Sequence, residues 1–419
     1  MDESGPRMSR DARVPYRITD QLFLWLLTAP DDPVLIGELN MVRSTRGVSL
    51  RYASSWIERG FALSEDLPLV AEELFPAVKD TSAGAVDDAR PDRWGERVIK
   101  FLDKPPRLSL LEYLYFAGDD RFGALGVSTS SEGYLPRRIG PLPKLADTAA
   151  IQVLVRKVLA NEPIPDHEKR LISPGVTMGG ARPKALLDID GEPWVVKFAD
   201  GDPIDTPLIE HASMTLSRAA NIRAAETMPI RLIDGHAVAI KRFDRVGRRR
   251  VHALSAHVAL KAAGEELGYP ELAQLLRRRG VPDGGVNREQ MRELFRRMVF
   301  NILLDNTDDH EKNHVVLVND AQAYELSPAF DVLPSGQALG YQQMRIGLEQ
   351  ADSTLVNAMS MSTSFGLNKD EAAREVRLVA GVIDRWKEHF RSCGVGARDI
   401  DSLAEQIDRP FLQQQRSEL

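Results

Sequence analysis

Asn306-Thr307-Asp308-Asp309-His310-Glu311-Lys312-Asn313-His314, followed at once by Val315-Val316-Leu317-Val318, is the stretch on which the reading of this chain turns. Before it, from Arg288 to Asn306, Met291, Leu294, Phe295, Met298, Val299, Ile302 and Leu303 recur at helical spacing and read as a core stripe. A polar cluster between a helix end and a strand reads as a loop that carries side chains into a cleft. Two chemistries compete for it. His310-Glu311-Lys312-Asn313-His314 satisfies HExxH, in which histidines one helical turn apart hold zinc. That geometry needs a helix, whereas here a helix has just ended and a β-preferring run follows. No third ligand stands at the metzincin spacing. In the competing reading, Asp308 stands five residues before Asn313. This is the spacing of a kinase catalytic loop, where an aspartate accepts the substrate hydroxyl proton and an asparagine binds metal. His310 then organises the loop, and His314 leads into the strand without chemistry of its own.

Working outward, Ser327-Pro328-Ala329-Phe330-Asp331-Val332 follows a short strand, Ala323 to Leu326, and places a second acid where kinases keep a Mg²⁺ ligand. Upstream, Ala185 to Asp188 and Pro193 to Phe198 flank Asp190-Gly191, a strong hairpin signal, and a second such unit spans Ile230 to Phe243 around Asp234-Gly235. Between them lies a helix, Pro207 to Ala220, with Leu208, Ala212, Leu216 and Ala219 on one stripe. Lys197 sits in the apolar strand Trp194 to Phe198, sharing a face with Val195. A lysine buried there needs a partner, and Glu210 on the following helix is the candidate; an edge strand facing water is the alternative. Before the first hairpin, Thr177-Met178-Gly179-Gly180-Ala181-Arg182-Pro183-Lys184 brings paired glycines whose N–H groups can approach an anion, with Lys184 adding charge. Alone this segment is a weak signal, and a plain glycine turn is its default reading. Glycine segment, lysine strand, acidic helix residue, Asp…Asn loop and second Asp stand in kinase order. Together they indicate an ATP-dependent phosphotransferase with a two-lobed, kinase-like α+β fold.

The rest of the chain bounds this reading. At 419 residues, with 43% hydrophobic and 27% charged residues, it has the balance of a globular protein of two or three domains. The single cysteine, Cys393, excludes an internal disulfide and a Cys-rich zinc module and fits a reducing cytoplasm. A net charge of −7 argues against a nucleic-acid coat, and Arg248-Arg249-Arg250 and Arg277-Arg278-Arg279 read as solvated faces. The apolar run Leu22 to Leu27 is too short for a membrane span, and Asp31-Asp32 follows it rather than a cleavage site. A cytoplasmic protein with no membrane partner is therefore expected. The first dozen residues are polar and expected to be disordered. Val34 to Leu39 and Gly47 to Tyr52 read as strands, Pro91 to Ile99 as a helix with proline in its first turn, and Thr148 to Ala160 as a helix. Prolines between Pro136 and Pro143 mark a boundary. The resulting units are 16–140, an extra α/β subdomain; 145–245, an N-lobe with the glycine loop and hinge; and 246–412, a helical C-lobe.

The chain resembles the HipA family of serine/threonine kinase toxins from bacterial toxin–antitoxin pairs, from about Val34 to Asp399. The resemblance is carried by Gly179 to Lys184, Ile240-Lys241-Arg242-Phe243-Asp244-Arg245, Asp308 to Asn313 and Ser327 to Asp331, with Glu112-Tyr113-Leu114 and Arg121 to Gly126 as the end of the family's N-terminal subdomain. It implies Asp308 as catalytic base, with Asn313 and Asp331 holding Mg²⁺. Lys197 and the segment Gly179, Gly180, Ala181, Arg182, Pro183 and Lys184 would bind the ATP phosphates. Lys241, Arg242 and Phe243 would form the hinge that meets adenine through backbone groups. His310, Glu311 and Lys312 would border the nucleotide. Thr177 falls where the family keeps an autophosphorylated serine, and Lys241 replaces an acidic residue common at the hinge. Implied partners are a HipB-like helix-turn-helix antitoxin, operator DNA reached mainly through it, and a protein substrate such as an aminoacyl-tRNA synthetase. Two other readings stay open: a pseudokinase-like co-repressor that chiefly binds the antitoxin, and a small-molecule kinase, which the extra N-terminal subdomain disfavours.

Overall fold

Strand β1 (Gln21–Leu26) alternates buried and partly exposed side chains and pairs antiparallel with β2 (Val34–Val42), with a register shift between Leu24 and Trp25. In this computed structural model, which describes residues 16–137, 141–172 and 180–418, β3 (Gly47–Tyr52) and β4 (Leu125–Ser128) complete a sheet of order β3-β2-β1-β4. Helix α1 (Ser54–Arg59) follows β3. The first dozen residues, Thr177 and Gly179 lie outside the described residues. Helix α2 (Arg93–Val98) starts two residues later than its proline suggests: Pro91 precedes the cap, and Asp92 caps the helix by accepting from Gly95 N at 2.8 Å. Helix α3 (Leu110–Phe116), opened by a Ser109–Glu112 capping box, packs Leu111 and Leu114 into the core shared with β1 and β2.

The next sheet frames the site. Asp190 and Gly191 both adopt positive φ, 54° and 86°, the requirement of a tight primed turn. They join β5 (Lys184–Ile189) to β6 (Glu192–Phe198) with Lys184 opposite Lys197. With β7 (Thr227–Arg231) and β8 (His236–Lys241) the order is β5-β6-β8-β7, so β6 is interior and Lys197 cannot face water from an edge. Both faces are covered. Leu186, Val195, Val238 and Ile240 join the core that includes α5 (Thr206–Ala219), whereas Leu187, Trp194, Val196 and Phe198 meet α2 and α4 (Thr148–Ala160). On α5, Leu208, Ala212 and Leu216 are buried as the stripe demands, but Ala219 is exposed and Ala220 takes the inner position.

Helix α8 (Val286–Leu303) is the pillar of the helical half, with all seven apolar positions of its stripe almost completely buried. It packs on α7 (Tyr269–Arg279) and α10 (Lys369–Ile383). Asp305 turns left-handed (φ 59°) just past its end, and Asn306 N–H returns to Asn301 O at 2.9 Å. After β8, the short strands β9 (Arg245–Val246) and β10 (Arg249–Arg250) pair antiparallel; beyond α8 the chain runs through the polar loop into β12 (Val315–Val318), which lies between β11 (His252–Ser255) and β13 (Tyr324–Leu326). Helix α6 (Ala256–Ala262) follows β11. Helices α9 (Leu355–Ser360), α11 (Trp386–Ser392), α12 (Ala397–Ile407) and α13 (Pro410–Ser417) complete the C-terminal part. Among the basic runs, Arg248, Arg249, Arg278 and Arg279 make ion pairs at or near the surface. Arg250 departs from a solvated face: it is buried and donates to the Asp119 carbonyl. No helix among the described residues is long and apolar enough to cross a membrane.

Candidate active site

Lys197 of β6 meets a carboxylate on either side. Its Nζ donates to Glu210 Oε1 of α5 at 2.7 Å and to Asp331 Oδ1 at 2.5 Å, with Lys197 and Glu210 both almost completely buried. Burial works to lower the lysine pKa, but the adjoining Asp331 and Glu210 charges outweigh it and hold the ammonium above its ordinary value. Burial pushes Glu210 upward. For Asp331 burial acts the same way, yet Lys197 overcomes it and keeps the carboxyl below the usual range, so Asp331 stays ionised. Asp331 also holds a left-handed backbone (φ 58°), uncommon for a residue with a side chain. Its segment is fixed by Ala329 N–H to Arg223 O at 2.7 Å and by Arg297 Nη2 to Ser327 O at 2.6 Å.

A cavity of about 640 Å³ is lined by both the glycine segment (Gly180, Ala181) and the Asp…Asn loop (Asp308, His310, Lys312), and Asp331 of the triad approaches its Gly180 edge. Asp308 opens to the cavity. Partial burial first, then the Asp331 and Asp309 charges, raise its pKa above the ordinary aspartate value, with His310 pulling the other way. Asn313 is buried, and its Oδ1 has no hydrogen-bond partner among the described residues. Residues Glu311–Asn313 form a single 3₁₀ turn before β12, so His310 and His314 are not on an α-helix and the zinc geometry is absent. His314 instead places Nε2 at 2.9 Å from Asp309 Oδ2, and Tyr269 OH donates to the same oxygen while accepting from Asn301 Nδ2 at 3.0 Å. Glu311 is committed to His257 of α6, 2.6 Å from its Nδ1. His310 and the exposed Lys312 line the cavity.

The remaining expected nucleotide residues are distributed unevenly. Gly180 (φ 83°) and Ala181 border the cavity. Arg182 pairs with Asp202 at 2.5 Å, and Pro183 is buried. Lys184 is fully buried; its Nζ donates to Asp92 and, at 3.0 Å, to the Gly180 carbonyl, so it anchors the glycine segment rather than standing free over it. At the hinge, the amides of Lys241 and Arg242 already donate to Glu226 O and Pro193 O, at 2.9 and 3.2 Å. The Arg242 guanidinium grips Asp244 and the carbonyls of Asp120 and Arg121. Lys241 and Arg242 therefore support the hinge, and their N–H groups are not the ones that could meet adenine. The Phe243 ring joins Phe330 and Phe122 in an aromatic row, with centroids 5.4 and 5.8 Å away. Asp88 went unread in the sequence. Burial pushes its carboxyl up to about 6, partly offset by hydrogen bonds from Ser255. Asp92 and Tyr269 were missed too, because their partners lie far away in the chain, whereas Asp309 pairs with His314 only five residues on.

Comparison with known proteins agrees with this layout. A structure of HipA from Shewanella oneidensis MR-1, in complex with HipB and operator DNA, superposes with a TM-score of 0.65 over 95% of this chain and 97% of that one, at 16% identity. This shows the two-lobed, kinase-like α+β fold. A Sinorhizobium fredii protein named "Putative kinase Y4dM" is 28% identical over 199 residues, 44% of this chain. The match spans 45% of that relative's own length. The HipA-like C-terminal domain matches residues 176–387, just over half of the chain, and takes in the glycine segment, Lys197, Glu210, the Asp…Asn loop and Asp331. The chain belongs to the HipA-like family.

Proposed function

We propose that the chain is an ATP- and Mg²⁺-dependent serine/threonine protein kinase, the HipA-like toxin of a toxin–antitoxin pair. One observation carries the reading: Lys197 joins Glu210 and an ionised Asp331 in a buried triad, and Asp331 reaches the Gly180 edge of the cavity that Asp308 enters. A co-repressor without catalysis has no need of a buried lysine held charged between two carboxylates, or of an exposed carboxylate in the neighbouring cavity.

The donor set fits magnesium. Asp331 is an anionic oxygen donor and Asn313 offers a buried amide oxygen without a partner, both hard ligands suited to a small hard cation. When bound, Mg²⁺ supplies charge neutralisation between the β- and γ-phosphates. Lys197 orients the phosphates, and Glu210 keeps the lysine rotamer fixed. Gly180 and Ala181 offer backbone N–H groups at the cavity rim. Asp308 accepts the proton of an acceptor hydroxyl as its oxygen bonds to the γ-phosphorus and the bond to the β-phosphate oxygen breaks. Its raised pKa brings its basicity nearer to neutral pH without a change of residue.

The substrate we favour is a serine or threonine of a translation component such as an aminoacyl-tRNA synthetase. Thr177 is the candidate for autophosphorylation, and a HipB-like helix-turn-helix antitoxin is the expected partner, itself making most contacts with operator DNA. The cytoplasm is the expected compartment. The test is incubation of the purified chain with Mg·ATP labelled at the γ-phosphate and a bacterial lysate, followed by mapping of phosphosites. Label on serine or threonine of a discrete protein supports the reading. Label on a small molecule alone, or none, overturns it.

A further inference from the structure

The N-terminal part of the chain holds both walls of the cleft through one short segment. Asp88 Oδ1 and Oδ2 accept from Ser255 Oγ and Ser255 N, each at 2.7 Å. Ser255 caps α6, its Oγ accepting from Val258 N at 3.2 Å, and α6 carries the His257 that binds Glu311 in the catalytic loop. Four residues beyond Asp88, Asp92 accepts from Lys184, whose Nζ also holds the Gly180 carbonyl. Trp94 Nε1 adds a third tie, donating to Lys184 O at 2.8 Å. Asp88 and Asp92 both line the cavity that contains Asp308 and Gly180.

Lobes that close on a ligand move as rigid bodies about a hinge, so a third element bonded to both constrains their spacing. Here the bonds at both ends are charge-assisted and partly shielded from water, and such bonds resist stretching more than exposed surface pairs do. Both carboxylates are engaged by other residues, Asp88 by Ser255 and Asp92 by Lys184 and Gly95 N. Both act through another residue.

We propose that Asp88 and Asp92 are positioning residues for phosphotransfer: the segment between them is a strap that sets the distance from the glycine segment to the catalytic loop. The proposal rests on the kinase reading above. Cutting the Asp92 end should loosen Lys184 and Gly180 and so weaken hold on the nucleotide. Cutting the Asp88 end should loosen α6 and the turn at Glu311 and so disturb Asp308.

The experiment uses the full chain with Asp92→Asn, which keeps an acceptor for the α2 cap, and Asp88→Asn. Hydrogen exchange over residues 180–187 and 308–315 is measured without nucleotide, and KM for ATP and kcat are measured separately. Asp92→Asn should speed exchange in the first segment and raise KM for ATP about tenfold, the worth of one charge-assisted hydrogen bond. Asp88→Asn should speed exchange in the second and lower kcat more than it changes KM. Should either variant fail to fold, Trp94→Phe removes the indole donor together with some buried ring volume and should shift the first segment in the same direction. Exchange unchanged in both segments overturns the strap, whatever the kinetics. Faster exchange in both, in a chain that transfers no phosphate, keeps the strap and rejects the kinase reading.

Discussion

Lys197 and Asp331 meet at 2.5 Å although 134 residues separate them, one from the interior strand of the small lobe and the other from a loop beneath it. This contact ties β6 to the segment that follows β13. It makes the position of Asp331 depend on β6, and therefore on the packing of both faces of that sheet.

The contact yields the first expectation. Asp331→Ala removes the ionised ligand and leaves Lys197 with Glu210 alone, so Mg²⁺-dependent ATP binding should be lost. Titration calorimetry with Mg·ATP checks it. Binding as tight as in the wild type would show that Asp331 holds no metal.

A second expectation concerns His314. Its Nε2 satisfies the buried Asp309 carboxylate together with Tyr269. His314→Ala should lower the unfolding free energy by about 1 to 3 kcal/mol, the cost of an unpaired buried acceptor. Urea unfolding measures this. Phosphotransfer should fall far less than on loss of Asp308, because His314 faces away from the cavity.

The hinge provides a pH-dependent case. Burial works against ionisation of Asp244, but Arg242 and Arg245 outweigh it and hold its pKa at about 2 against an ordinary 3.8. A depressed carboxyl contributes stability that is fully present above the unfolded value and is lost as pH falls from 3.8 towards 2. The linked amount is about 2 kcal/mol. Asp244→Asn should cost about 3 to 5 kcal/mol at neutral pH, since it leaves two buried guanidinium groups without their partner. Urea midpoints at pH 7 and pH 3 should show the gap between wild type and variant narrowing in acid.

Some of this was legible in the sequence because it is local. Asp190-Gly191 announces its own turn, the seven-residue stripe of α8 follows the helical period, and Glu210 stands one short connection from Lys197. The Asp308–Asn313 spacing is likewise a property of consecutive residues. What stayed hidden depends on distant partners. Asp92 finds Lys184 and Asp88 finds Ser255 across 92 and 167 residues, and no periodicity marks either pair. Lys184 was read as a charge for phosphates because nothing nearby in sequence opposes it, and Arg242 as hinge backbone because its partners include carbonyls at positions 120 and 121. Arg250 looked like part of an exposed basic run until folding placed it against Asp119.

The most direct test of the central claim compares wild type with Asp308→Ala, using ATP labelled at the γ-phosphate and, in parallel, equilibrium ATP binding. A positioned base is worth about 10²- to 10⁴-fold in rate. Phosphotransfer should fall by that factor, with ATP bound as tightly as before. Equal transfer rates in the two proteins would contradict it.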